Sequence, residues 1–139
     1  MNTKQLLLGA VIIGVVANIL DGILHGMLLV PTYNSIPSMS GMDPGKMPWF
    51  IFSDFVLALV FVWFYGRVHA SFEKTPMGLL KYGVFFAIVV SIPTNMITTL
   101  IFKGFPYWLS WVWTLAFVIE YAIYGYILGM LVRPKTAKA

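Results

Sequence analysis

WLSWVWTLAFVIEYAIYGYILGMLV, residues 108–132, runs for twenty-five residues and carries a single charged side chain, Glu120. At a rise of 1.5 Å per residue, a helix of this length covers the ~30 Å hydrocarbon core of a bilayer. Three further stretches read the same way: Leu6–Val30, Trp49–Gly66 and Leu79–Phe102. The expected fold is therefore an all-α membrane protein, a single domain of four transmembrane helices in an antiparallel up-down bundle. The first run has the ordinary alternative of a cleaved signal peptide, since Lys4 precedes it. It continues past a signal's usual length and lacks a small-x-small cleavage site before a polar region, so it counts as a span.

Composition agrees with the spans. Hydrophobic residues make up 60% of the 139 and charged residues 10%, against about a quarter charged in soluble domains. The mean hydropathy is +0.86. With no cysteine, disulfides, thiolate metal sites and thiol catalysis are excluded. The net charge of +4 comes mostly from basic residues flanking apolar runs, which suits anionic headgroups rather than nucleic acid.

Those basic residues also predict orientation. Lys4, Arg67, Lys74, Lys81, Arg133, Lys135 and Lys138 fall on one side, and only Lys46 and Lys103 on the other. The positive-inside rule then puts both termini in the cytoplasm. The longest outer connection, Pro31 to Pro48, holds four prolines and two glycines and is expected to be irregular. Lys103–Tyr107 is a tight outer turn, making the last two spans neighbours. Trp49, Tyr107, Trp108, Trp111 and Trp113 cluster at the outer boundary, with Tyr65 and Tyr82 near the inner one. Headgroup levels favour such rings.

Asp21, His25, Asp54, Asn95 and Glu120 lie inside the spans. An ionised side chain at mid-bilayer costs at least ~2.5 kcal/mol, so these residues are expected to face the bundle interior. Measured from the outer span ends by helical rise, His25 and Asp54 lie about 7 Å deep and Asn95 and Asp21 about 10–14 Å. Asn18 and Glu120 lie about 18 Å deep, near the midplane. Asn18, Asp21 and His25 follow helical spacing on one face, as do Ser91, Asn95 and Thr98. Trp113, Phe117, Glu120 and Tyr124 share a third face. The ordinary reading of Asn18, Asn95, Ser91 and the threonines is helix-to-helix hydrogen bonding. Two Asp, one Glu and one His together point instead to a ligand or proton site supported by Asn18, Ser91, Trp113 and Tyr124.

Asp21 and His25 form a carboxylate–imidazole pair able to exchange protons. No Lys or Arg occupies a span core, so Glu120 is expected to rest protonated or beside a cation. Pro93 is expected to kink the third span and free carbonyls at the cluster's level. No cofactor is expected. A metal ion is the narrower reading, with Asp21, His25, Asp54 and Glu120 as mixed ligands, or a Cu(I) site among Met27, Met39, Met42, Met47 and Met96. Met side chains in such positions usually fill space. His25 and His69 lie near opposite faces, which rules out bis-histidine haem within one chain. Gly22–Gly26 and Gly125–Gly129 are small-xxx-small patterns that permit close approach within the chain, in a homo-oligomer or in a larger membrane complex.

Asn18-x-x-Asp21-Gly22-x-x-x-Gly26, the outer Pro/Tyr loop and a last span that carries an acid and ends in Arg133-Pro134 make up a recognisable architecture. In it the chain resembles the small four-helix inner-membrane proteins of bacteria whose function is uncharacterised. The resemblance implies a bacterial inner-membrane location and no reaction. Three functions follow from the residues themselves. The first is a binding or transport protein whose outer-half cavity takes a proton, a cation or a small amphipathic ligand. The second is an accessory subunit of a membrane complex. The third is a small enzyme acting on lipid or quinone, with Asp21 and His25 as acid–base pair.

Overall fold

The computed structural model describes residues 3–39 and 44–132. Gly41, Met42, Arg133, Pro134, Lys135 and Lys138 of the sequence expectations lie outside them. Helix α1 (Thr3–Ile23) runs on through a π-helical turn, Leu24–Leu28, into a short α2 (Val30–Asn34). Then come α3 (Met47–Val68), α4 (Pro76–Ile101) and α5 (Tyr107–Leu131), with 3-10 turns at Pro44–Lys46 and His69–Ser71. Four segments are long and apolar enough to cross a membrane: Thr3–Leu28, Met47–Ser71, Pro76–Ile101 and Tyr107–Leu131. No strand occurs among the described residues.

The helix starts have local causes. Pro31, Pro48 and Pro76 each sit in a first turn, where a missing N–H costs nothing and the fixed φ suits a helix. Thr75 caps α4 by accepting a hydrogen bond from the Gly78 amide at 3.0 Å. This corrects the expectation of an irregular outer loop. Pro31 opens a helical turn rather than breaking one, and the segment folds back to bury Tyr33 and Ile36 against Leu109. At the α4–α5 corner Gly104 takes φ +83°, a left-handed conformation that glycine adopts without steric cost.

Two helix pairs form the body. In the closer pair, α4 and α5, contacts climb one helix as they descend the other: Pro76 meets Gly129, Leu79 meets Gly125, and Gly83 meets Tyr121. A Cβ on Gly83 would collide with the Tyr121 carbonyl, and one on Gly125 with that of Leu79. Lipid tails are as apolar as leucine, so helices in a membrane are held by such close packing and by hydrogen bonds. The far end of the pair supplies the bonds. Asn95 donates to Thr114 Oγ1 at 3.1 Å, and Ser110 donates to the Asn95 carbonyl at 2.8 Å.

In the second pair, α1 and α3, Gly9 meets Val62 and Gly14 takes the ring of Phe55. The two pairs join across an aromatic core. Phe61 lies 4.8 Å from Tyr82 and 5.2 Å from Tyr121, centroid to centroid. The Tyr82 hydroxyl donates to the Phe61 carbonyl at 2.6 Å. Tyr65 and Tyr82, expected near the inner boundary, are both buried inside the bundle. The outside of the bundle is apolar: Leu7, Val11, Val15 and Ile19 form one exposed stripe of α1, and Phe85, Val89, Leu115 and Ile119 continue the exposed surface on α4 and α5. Water would disfavour so large an apolar surface, whereas lipid accepts it.

Candidate carboxyl site

Three of the predicted polar residues meet. Asp21 from α1, Asp54 from α3 and Glu120 from α5 line one cavity of about 20 Å³, together with Phe117, Tyr121 and Tyr124. A volume of that order holds about one water molecule. The site lies between the two helix pairs, where side chains rather than glycines set the spacing. Asp21 and Asp54 come within hydrogen-bonding reach of each other. Neighbouring carboxyl groups in so small a cavity favour a shared proton or a compensating cation, because like charges close together oppose one another.

Glu120 is the most buried of the three, 7% exposed. Among the described residues no side chain donates a hydrogen bond to it, and no Lys or Arg lines the cavity. The Asn18 amide is engaged elsewhere, donating to the Gly14 carbonyl at 2.9 Å and reaching that of Ile51 at 3.5 Å.

His25 stands beside the cavity, not in its wall. The π-helical turn that contains it interrupts the 100° progression used to align it with Asn18 and Asp21. Such turns often accompany functional residues. Its Nε2 lies 3.9 Å from Asp21 Oδ1. Its Nδ1 hydrogen-bonds the Tyr33 hydroxyl, whose oxygen also accepts from the Trp113 indole N–H at 3.0 Å. The three rings pack together, with His25 and Tyr33 nearly parallel, 10° between planes.

Asn95 and Ser91 lie apart from the cavity. Asn95 ties α4 to α5, and Ser91 Oγ is buried without a partner among the described residues. The cavity therefore draws on three helices where four were expected, and α4 contributes none of its wall. Pro93 sits on the exposed side of α4, so any carbonyl it frees does not serve this site.

Tyr33 was absent from the sequence reading, although Pro31 just before it marks a helix start that would have brought it back toward His25. Among the described residues, no three His, Cys, Asp or Glu side chains close on one point as metal ligands would. Met27 and Met47 are exposed, and Met42 lies outside the described residues. Gly125 and Gly129 face α4 within the chain, whereas Gly22 and Gly26 have nothing within 4 Å. No family model, curated protein or solved structure matches the chain, so its chemistry rests on its own residues.

Proposed function

We propose that the chain is a multi-pass protein of the bacterial inner membrane, an up-down bundle with cytoplasmic termini, that binds and exchanges protons at Asp21, Asp54 and Glu120. One observation carries this reading: three carboxyl side chains from three helices line a single water-sized cavity whose described lining holds no Lys or Arg. Carboxyl groups inside a membrane are expensive and mark proton or ion pathways. The size argues for the proton among the expected ligands. Drug-sized molecules need pockets of about 300–1,000 Å³, so this cavity does not admit an amphipathic ligand, a lipid head or a quinone.

Infrared spectroscopy of the protein in lipid nanodiscs tests the site. Protonated carboxyl C=O bands should fade as pH rises, and one should be missing in Glu120→Gln. A Glu120→Gln protein with the wild-type pH response would refute the role of Glu120. Bands that respond to Na⁺ or K⁺ at constant pH would replace the proton by a cation. Reporter fusions at Lys4 and Ala139 test the orientation, and an external signal from either overturns it.

A second reading, a subunit of a larger membrane assembly, is favoured by the open Gly22/Gly26 face beside exposed Met27 and Leu28. Small residues of this kind let another helix approach closely. Mild-detergent purification distinguishes the readings, since a subunit brings a stoichiometric set of partner proteins with it.

A further inference from the structure

We propose that Tyr33 and His25 form a two-residue proton relay into the carboxyl cavity, with Trp113 setting its direction. The inference rests on the proton-site reading above and adds the route.

The hydrogen-bond inventory suits one polarity for the relay. An indole N–H can only donate, so Trp113 uses the Tyr33 oxygen as acceptor. The Tyr33 hydroxyl proton is then free to go to His25 Nδ1, its other neighbour. A neutral imidazole that accepts at Nδ1 carries its own proton on Nε2. Nε2 is the nitrogen that faces Asp21, at 3.9 Å. In this relay Trp113 on α5, by donating to the Tyr33 oxygen, favours the tautomer of His25 that accepts at Nδ1. The separation from Asp21 exceeds a hydrogen bond by about an ångström, so transfer needs only a small swing of ring or carboxylate.

The proton balance is simple. The Tyr33 hydroxyl passes its proton to Nδ1 and is reprotonated by a hydronium ion, which leaves as water. The Nε2 proton passes to Asp21, and from there the contact with Asp54 leads into the cavity that Glu120 lines. The imidazole is left as the Nδ1–H tautomer, and return of the ring or of the protons resets it. No oxidant, metal or covalent intermediate takes part. The titratable groups facing His25 are Asp21 on its own helix and Tyr33 on α2. Asp54 and Glu120 lie beyond Asp21, and the neighbour from α5, Trp113, does not titrate.

Time-resolved infrared measurement after a pH jump, in nanodiscs, separates rate from equilibrium. The carboxyl bands of His25→Ala should reach the wild-type endpoint about a hundredfold more slowly, the lower range for loss of a positioned proton-transfer group. Added imidazole should restore much of that rate. Tyr33→Phe keeps the ring stack and should slow the response about tenfold or more. Wild-type rates in either variant overturn the relay and leave the carboxyl site standing. Slowing in His25→Ala that imidazole does not reverse also overturns it, because lost packing then explains the defect. If His25→Ala fails to fold, Tyr33→Phe decides alone. Wild-type protein without a titrating carboxyl band overturns the site and the relay together, which distinguishes the two failures.

Discussion

The α4–α5 seam and the seam between α1, α3 and α5 use opposite means to bring helices together. Along α4–α5, glycines remove side chains until backbone meets backbone, and Asn95, Ser110 and Thr114 lace the far end. Between α1, α3 and α5, side chains keep the helices apart, and the remaining gap holds three carboxyl groups. The first arrangement leaves no room for chemistry. The second gives up contact and gains a polar cavity. Under the proposed function, stability and proton exchange fall to different seams of a small bundle, and substitutions should sort by seam.

The largest effect is expected at Gly83. Gly83→Leu drives a side chain into the Tyr121 carbonyl, and overpacking without a soft neighbour costs about 3 kcal/mol. Thermal unfolding in detergent should register a large fall. A stable Gly83→Leu protein would show that the close seam does not hold the fold.

Glu120→Gln is expected to reverse that pattern. Its thermal stability should stay within about 1 kcal/mol of wild type, because volume is conserved and no hydrogen bond from another side chain is lost. Its carboxyl pH response should change as described above. A large loss of stability would move Glu120 to the structural side of the comparison.

Asn95→Ala should cost about 0.6–1.7 kcal/mol, the range for interhelical hydrogen bonds in membranes. It should leave the infrared titration of the cavity unaltered. A shifted titration would mean that the two seams are coupled through α5.

A smaller effect concerns Tyr33, which lies in α2 outside the spans. Burial, partly opposed by the Trp113 hydrogen bond, pushes its hydroxyl up to about 12 from 10.0. Between those values the folded state holds the proton that the unfolded state has lost, so stability falls as pH rises through the interval. Below about 10 the contribution is complete. Alkaline titration of tyrosinate absorbance should show one late-titrating group that is missing in Tyr33→Phe.

Gly22→Ala should change monomer stability by less than about 0.5 kcal/mol, as at an open surface position, since nothing lies within 4 Å. Disruption of an assembly by this change, with the monomer intact, would support the subunit reading.

Hydropathy is a local property, so the sequence alone determined that four segments are long and apolar enough to span a membrane. It likewise picked out Asp21, Asp54 and Glu120 as costly groups within them, because the penalty for charge in lipid does not depend on which helices are neighbours. Which polar residues meet was decided by the tertiary structure. Helix rotation and pairing are non-local, and here Gly83 and Gly125 turn α4 toward α5 and leave it out of the cavity. The same holds for His25. A π-helical turn re-aims it, and a segment read as loop returns through Pro31 to set Tyr33 against it. Spacing along one helix cannot report a contact made by the chain folding back. That contact, together with the Trp113 bond that orients it, exists only once α2 and α5 are packed.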